Sequence, residues 1–257
     1  MQIIAALLLI LTVKVALGQD HRVDVRGQIF PLDMAPNSVD DQYEGCTNSM
    51  RNLVETVFLQ KEISGSSTFA DAWREGETNA KEPEKNLIKN HSVAIYVYTD
   101  LNVHGSFNTA TRNDKEKYKN MTYEWYSLHF LLTEAIQILK KSQKKCKVTY
   151  RGTKFEYDKN VLNKEVRFGS FTSSSTEKEL AVRFGKVSCF KIKTCKGAEV
   201  TKYSKLPYEK EVLIPPYEKF RVTSINTNKT WCNTVYKLKS SGTFSELNCS
   251  VASAAPV

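Results

Sequence analysis

"LPYEKEVLIPPYEKF", residues 206–220, places two acids, Glu209 and Glu211, on the lip of the aliphatic run Val212-Leu213-Ile214, which Pro215 and Pro216 close. A short apolar run stopped by prolines reads as a buried strand. In an extended chain the side chains at i and i+2 share a face. Glu209 and Glu211 are therefore expected to point together, away from Lys210 and Val212. Adjacent carboxylates raise one another's pKa, which suits acid–base work. They can also hold a developing cation, as in glycosyl transfer. Taken alone, the pair is equally a solvated turn ahead of a strand.

Around this stretch the second half of the chain reads as β. Strand candidates are "KVTYRG", "VRFGSFTSSS", "GKVSCFKIK", "AEVTKYS", "EVLIPP", "KFRVTSI" and "NTVYKLK". One short helix interrupts them at "LAVRFG", with Thr176 and Glu179 as a capping box. The first half reads as helical. "NSMRNLVETVFLQKEI" carries apolar residues at helical spacing behind a cap at Asn48 or Ser49. "STFADAWREG" reads as a shorter helix ending near Gly76, and a long apolar helix is expected from about Thr122. "VAIYVYTD" is read as a strand from Val93 to Tyr98. Helices first and strands second predict an α+β domain. No G-x-G-x-x-G or G-x-x-x-x-G-K-[ST] is present, which argues against a doubly wound nucleotide fold.

The 257 residues open with "MQIIAALLLILTVKVALG", an apolar run ending in small residues. It reads as a signal peptide over residues 1–18, cleaved before Gln19, and is too short for a comfortable membrane span. Six cysteines in an exported chain then point to disulfides, with the pairing left open. No C-x-x-C is present, and His21, His91, His104 and His129 are scattered, so no metal site is expected. Glycosylation sequons stand at Asn90, Asn120 and Asn228; a fourth, at Asn248, has a cysteine in its middle. The C-terminus "LNCSVASAAPV" has no apolar tail of the kind a GPI signal needs, so the mature chain is expected to be secreted. The expected organisation is a leader (1–18), one domain (19–250) and a short tail (251–257).

The net charge is +9, and its densest run is "KKSQKKCK", residues 140–147. The run reads either as an anion patch or as a helix end, where lysines complement the dipole. No aromatics alternate with these lysines, so no nucleic-acid partner is expected.

Two more features carry chemistry. Arg151 ends the run "VTYRG", followed at once by Gly152. It is either a surface arginine or a phosphate ligand, since the planar guanidinium binds two oxygens at once. In "FTSSST", Ser173, Ser174 and Ser175 lie between a strand and a helix, where hydroxyls cap the helix or hold a ligand. No G-x-S-x-G elbow is present.

In the order "YRG", "FTSSS", "EKEVLIPP", the chain resembles the R-S-E class of ADP-ribosyltransferases, and within it the vertebrate arginine-specific ecto-mono-ADP-ribosyltransferases. Tyr43-x-Gly45-Cys46, "AIYVYT" and "FKIKTC" add to the likeness, which runs from about residue 25 to 249. The resemblance implies an α+β fold, helical at its N-terminal part and followed by a split, mostly antiparallel sheet. It implies transfer of ADP-ribose from NAD or NADP to protein arginine, with NAD as co-substrate and no metal. Arg151 would anchor the NAD phosphates and Ser173 the nicotinamide ribose. Glu211 would bond the ribose 2′-hydroxyl and stabilise the oxocarbenium ion, and Glu209 would activate the acceptor guanidinium. Tyr98, Gly152, Phe184 and Ser204 would be further NAD contacts, with Phe184 either stacked on nicotinamide or packed in the core. The likeness also suggests the pairs Cys46–Cys249 and Cys146–Cys195, leaving Cys189 and Cys232 for a third bridge. Partners would be proteins with exposed arginines and small guanidines such as agmatine, met by a monomer outside the cell or in a granule lumen. Two other readings remain: an NAD glycohydrolase with water as acceptor, and a secreted binding module that no longer catalyses.

Overall fold

The computed structural model describes residues 27–254 except 85, 101 and 230. The leader expected at 1–18 and the last three residues lie outside that range. Among the described residues the helices are α1 (Thr47–Leu53), α2 (Leu59–Gly65), α3 (Ser67–Asn79), α4 (Lys89–Tyr98), α5 (His104–Asn113), α6 (Lys115–Lys119), α7 (Tyr126–Ser142), α8 (Lys178–Ala181) and α9 (Ser250–Ala254). The strands are β1 (Ile29–Phe30), β2 (Lys147–Thr153), β3 (Glu156–Tyr157), β4 (Glu165–Val166), β5 (Thr172–Ser175), β6 (Ser188–Thr194), β7 (Ala198–Glu199), β8 (Glu211–Ile214), β9 (Glu218–Lys229) and β10 (Cys232–Thr243). Eight strands form one sheet in the order β4-β9-β10-β6-β2-β5-β8-β7. Only the β6–β10 pair in it is parallel. The fold is the α+β class expected from the segregation of helices and strands.

Several local expectations give way to packing. Val93–Tyr98 is not a strand but the body of α4, which packs between α3 and α7. Val93, Ala94, Ile95, Val97 and Tyr98 are all buried. A segment enclosed on every side has no polar face, so its sequence shows neither period, and β-branched residues tilt a local reading towards strand. Gly76 does not end a helix; α3 runs on to Asn79. A Cβ at position 76 would lie 3.0 Å from Val93 Cγ1 and 3.2 Å from Val97 Cγ2, so the glycine lets α3 and α4 approach closely. α1 starts behind Cys46 without a side-chain cap, not at Asn48 or Ser49, and passes through a π-helical turn (Val54–Phe58) into α2. α7 begins at Tyr126, four residues later than expected, where both carboxylate oxygens of Glu62 accept the Ser127 N–H at 3.2 and 3.1 Å. "VRFGSFTSSS" is two strands, because Gly169 turns the chain with φ +72° between β4 and β5. "AEVTKYS" is strand only at Ala198–Glu199. The capping box at Thr176 and Glu179 does not form. α8 starts behind Glu177 with no side-chain cap, and Ser175 Oγ accepts the Glu177 N–H at 3.1 Å. Residues 251–254 are not a free tail, since Val251 is buried in the main core.

Three disulfides staple the domain: Cys46–Cys249, Cys146–Cys195 and Cys189–Cys232. The first spans 203 residues and ties the start of α1 to the C-terminal segment. Next to it a buried acid pair does the same job without covalent bonds. Asp40 accepts the backbone N–H groups of Glu246 and Leu247 and pairs with Arg167 at 2.6 Å. Asp41 accepts the N–H groups of Tyr43 and Cys249 and the Tyr118 hydroxyl. Arg167 also donates to the carbonyls of Met34, Ala35 and Phe244. Arg167 and Asp40 are each 1% exposed in their side chains, so removing one strands a buried charge. Arg167→Met is expected to lower unfolding stability by about 3 kcal/mol in a denaturant titration; a loss under about 1 kcal/mol would show that water satisfies Asp40.

Candidate active site

Three neighbouring strands carry the candidate residues. β2 presents Arg151, β5 presents Ser173 and β8 begins at Glu211. β2 and β5 pair only at Tyr150↔Ser175, whereas β2 and β6 pair along their whole length. The strands therefore part beyond Tyr150, and the Arg151 side chain crosses the gap. Its Nη1 donates to the Ser173 carbonyl at 2.8 Å. β5 and β8 run antiparallel with Ser173↔Leu213 and Ser175↔Glu211 in register. This register makes Ser173 and Glu211 diagonal neighbours on one face, within reach of each other.

The three serines separate by what holds them. Ser174 Oγ donates to the Val212 carbonyl at 2.9 Å, and Ser175 Oγ donates to the Glu209 carbonyl at 2.8 Å. Both are committed to backbone. The Ser173 hydroxyl instead bonds the Glu211 carboxylate and lies 3.4 Å from the Tyr98 hydroxyl. Tyr98 closes the group from the end of α4, donating to the Phe171 carbonyl at 3.1 Å.

Glu211 is 2% exposed. Burial pushes its pKa from the ordinary 4.5 up to about 7; the Ser173 hydrogen bond and the Arg151 charge oppose that rise. The same burial, with Glu211 close by, pushes the Tyr98 phenol up to about 12, so it stays a neutral donor. Near neutral pH Glu211 is thus a partly ionised carboxyl group, and a positive charge close to it favours the carboxylate.

The two acids do not share a strand face. Glu209 ends a 3₁₀ turn (Pro207–Glu209), Lys210 is left-handed at φ +50°, and the strand begins only at Glu211. Proline at the first position of that turn, and the reversal at Lys210, override the extended reading. The turn is strapped down: Thr176 N–H donates to the Lys210 carbonyl at 3.3 Å, and the Lys210 ammonium pairs with Glu177. Glu209 is nonetheless 2% exposed.

Gly152 and Gly185 explain how the neighbouring turn is held. A Cβ on Gly152 would meet the carbonyls of Gly185 and Ala181 at 2.4 and 2.6 Å. Gly185 has φ +148°, and its Cβ would sit 2.2 Å from the Thr153 carbonyl carbon. Only two glycines allow this backbone contact, which seats the turn Val182–Phe184 against β2. Phe184 there is half-buried and outside the core clusters, so the core alternative does not hold. Ser204 is buried in the turn after β7, where its hydroxyl accepts the Leu206 N–H at 3.0 Å. The Lys205 N–H donates to Thr99 Oγ1 at 2.9 Å, which ties this turn to the end of α4 beside Tyr98. Sequence reasoning missed Asn108 on α5. It is buried, its Nδ2 donates to the Tyr98 hydroxyl at 3.2 Å, and its Oδ1 has no partner among the described residues. A single asparagine in a helical stretch gives no signal of that contact.

Residues 32–245 match the family model described as NAD:arginine ADP-ribosyltransferase. The chain belongs to that family. It is similar to NAD(P)(+)--arginine ADP-ribosyltransferase 2 of Gallus gallus, 37% identical over 230 residues, covering 85% of this chain and 72% of that protein. GPI-linked NAD(P)(+)--arginine ADP-ribosyltransferase 1 of Oryctolagus cuniculus is 34% identical over 257 residues, covering 90% and 78%. Among solved structures, the eucaryotic mono-ADP-ribosyltransferase ART2.2 superposes with TM-score 0.72 at 33% identity, covering 86% of this chain and 98% of that one. Further structures of that enzyme are mutants in complex with NADH or NAD.

The Glu211 environment has a measurable signature. The folded pKa lies above the unfolded one, so folding carries a cost that is absent below pH 4.5 and complete above about 7. A carboxyl-carbon NMR titration is expected to place Glu211 near 7, and higher in Ser173→Ala, which removes a bond to the charged form. Titration near 4.5, or no movement in the variant, would contradict the geometry.

Proposed function

We propose that this chain transfers ADP-ribose from NAD to arginine side chains of proteins, releasing nicotinamide, through Arg151, Ser173, Glu211 and Glu209. The observation that carries the reading is the linked trio on adjacent strands: Arg151 on the Ser173 carbonyl and the Ser173 hydroxyl on buried Glu211. In the reaction the bond between the nicotinamide nitrogen and ribose C1′ breaks, and its electron pair leaves with nicotinamide. Positive charge develops on C1′ and the ring oxygen. A fixed carboxylate in a water-poor site stabilises that charge without reorganising. Glu211 takes this role, with a hydrogen bond to the ribose 2′-hydroxyl, and the approach of a cationic nicotinamide ring favours its ionised form. Arg151 holds the NAD phosphates with its forked guanidinium. Ser173 orients Glu211 and the nicotinamide ribose. Tyr98, Gly152, Phe184 and Ser204 complete the NAD contacts, with Phe184 stacked on nicotinamide.

The acceptor is a guanidinium, which carries no lone pair suited to attack while fully charged and solvated. Glu209 bonds it, turns one nitrogen towards C1′ and takes up the proton that leaves as the new N-glycosidic bond forms. Small guanidines such as agmatine serve as acceptors too, and NADP can replace NAD, a reading supported by relatives named NAD(P)(+)--arginine ADP-ribosyltransferases. The family names "ecto-" and "GPI-linked" support placing the chain outside the cell. That placement agrees with three disulfides and with a leader over residues 1–18. Asn120 is exposed behind α6; Asn90 is half-buried in α4, and the Asn248 amide is bonded on both sides to the Glu44 backbone.

Hydrolysis of NAD uses the same trio with water as acceptor, so the two activities separate at Glu209. With labelled NAD and agmatine, Glu209→Gln is expected to cut transfer about 100-fold while leaving release of free ADP-ribose within about threefold. Equal loss of both products would overturn the division of labour between the two acids.

A further inference from the structure

The exposed positions of β6 and β10 form a small lattice of cations. β6 carries Lys191 and Lys193 outward, and β10 carries Lys237 and Lys239 outward. The parallel register sets Lys191 opposite Lys237 and Lys193 opposite Lys239. Strand spacing is about 4.8 Å and the two-residue repeat about 6.7 Å, so the four lysines are set close together on one face of the sheet. Like charges directly opposite each other cost stability. Elsewhere the protein balances such charges: Lys147, Lys205, Lys210 and Lys219 all have acidic partners. Among the described residues, none of the four lattice lysines forms an ion pair.

The lattice continues towards the Cys146–Cys195 bridge. Lys144, Lys145 and Lys196 are exposed there, and Lys140 has its pKa lowered by burial and by the nearby charges of Lys147 and Lys196. The basic run "KKSQKKCK" therefore divides. Lys140 closes a helix end on the Lys145 carbonyl at 2.8 Å, Lys147 pairs with Glu199 on the Arg151 face of β2, and Lys144 and Lys145 stand exposed beside the Cys146–Cys195 bridge.

We propose that this face binds a linear sulfated polysaccharide. Charge complementarity decides the class: four lysines without acidic partners among the described residues, in a row that continues to Arg221 before the first acid, Glu165, fit a polymer of closely spaced fixed anions. Stacking of nucleic-acid bases is poorly served, since Tyr150 beside the lattice packs edge-on against Trp231 and the Lys178 ammonium lies 6.0 Å from the Trp231 ring. Anionic lipid is concentrated on the cytoplasmic leaflet, whereas the chain is placed outside the cell, a reading on which this proposal rests. Arg151 pairs with Phe190 and Tyr150 with Lys191, so the lattice and the NAD residues occupy opposite faces of the same strands. A polymer on the lattice leaves the Arg151 side open.

The test compares two fourfold variants with the intact chain on immobilised heparin at about 0.15 M salt, near physiological ionic strength. One replaces Lys191, Lys193, Lys237 and Lys239 by Gln; the other replaces Lys61, Lys81, Lys117 and Lys119, exposed on the helical half. The lattice variant is expected to bind about tenfold more weakly or worse, and the control to stay within about threefold of wild type. Desulfated heparin should not be held. Transfer to agmatine should be the same in the lattice variant as in wild type, which separates failure of this surface from failure of the catalytic reading. Equal binding by both variants would overturn the proposal. So would equal or tighter binding to phosphatidylserine vesicles or to a random single-stranded oligonucleotide.

Discussion

The antiparallel register of β5 on β8 is the constraint on which the site depends. It sets Ser175 against Glu211 and Ser173 against Leu213, and so brings the Ser173 hydroxyl to the Glu211 carboxylate. A slip of one residue would turn every side chain of β5 to the other face. Ser173 would then be committed to backbone as Ser174 now is, and Glu211 would be buried without its hydrogen bond. The prolines after Ile214 and the left-handed Lys210 before Glu211 fix both ends of β8, so its four residues have one place to pair.

Keeping Glu211 there is costly. A pKa moved from 4.5 to about 7 corresponds to destabilisation on the order of 3 kcal/mol when the acid is ionised. The rest of the domain carries that cost. Three disulfides restrict the unfolded chain, most strongly through the bridge spanning 203 residues. Asp40 and Asp41 draw the C-terminal segment onto the segment ahead of α1, and Arg167 compensates the charge of Asp40. Burial raises the pKa of Glu211 at the candidate site, and in the frame it likewise pushes Asp41 up to about 6 and Glu62 up to about 8, whereas Asp40 is paired with Arg167.

Much of this was legible in the sequence, for a physical reason. Strands β2, β6, β8, β9 and β10 alternate or carry β-branched runs, so their period is local information. Arg151 stands out as a charge ending a β-branched and aromatic run, and Glu211 as an acid on the lip of an aliphatic one, whereas Ser173 is one of three adjacent serines. Where packing outweighs local preference, the sequence misleads. Val93–Tyr98 reads as strand because its polar face is missing, and that face is missing because α3 and α7 cover it. The face shared by Glu209 and Glu211 was inferred from an extended chain that the 3₁₀ turn does not supply. Asn108 and the two glycines that seat Phe184 act through contacts between distant segments, which no local pattern encodes.

The proposed function has these residues together move ADP-ribose from NAD to a guanidine. Incubation of the intact chain with labelled NAD and agmatine tests it directly. Labelled agmatine is expected as the main product, with stoichiometric nicotinamide. Free ADP-ribose as the sole labelled product, or unconsumed NAD, would contradict it.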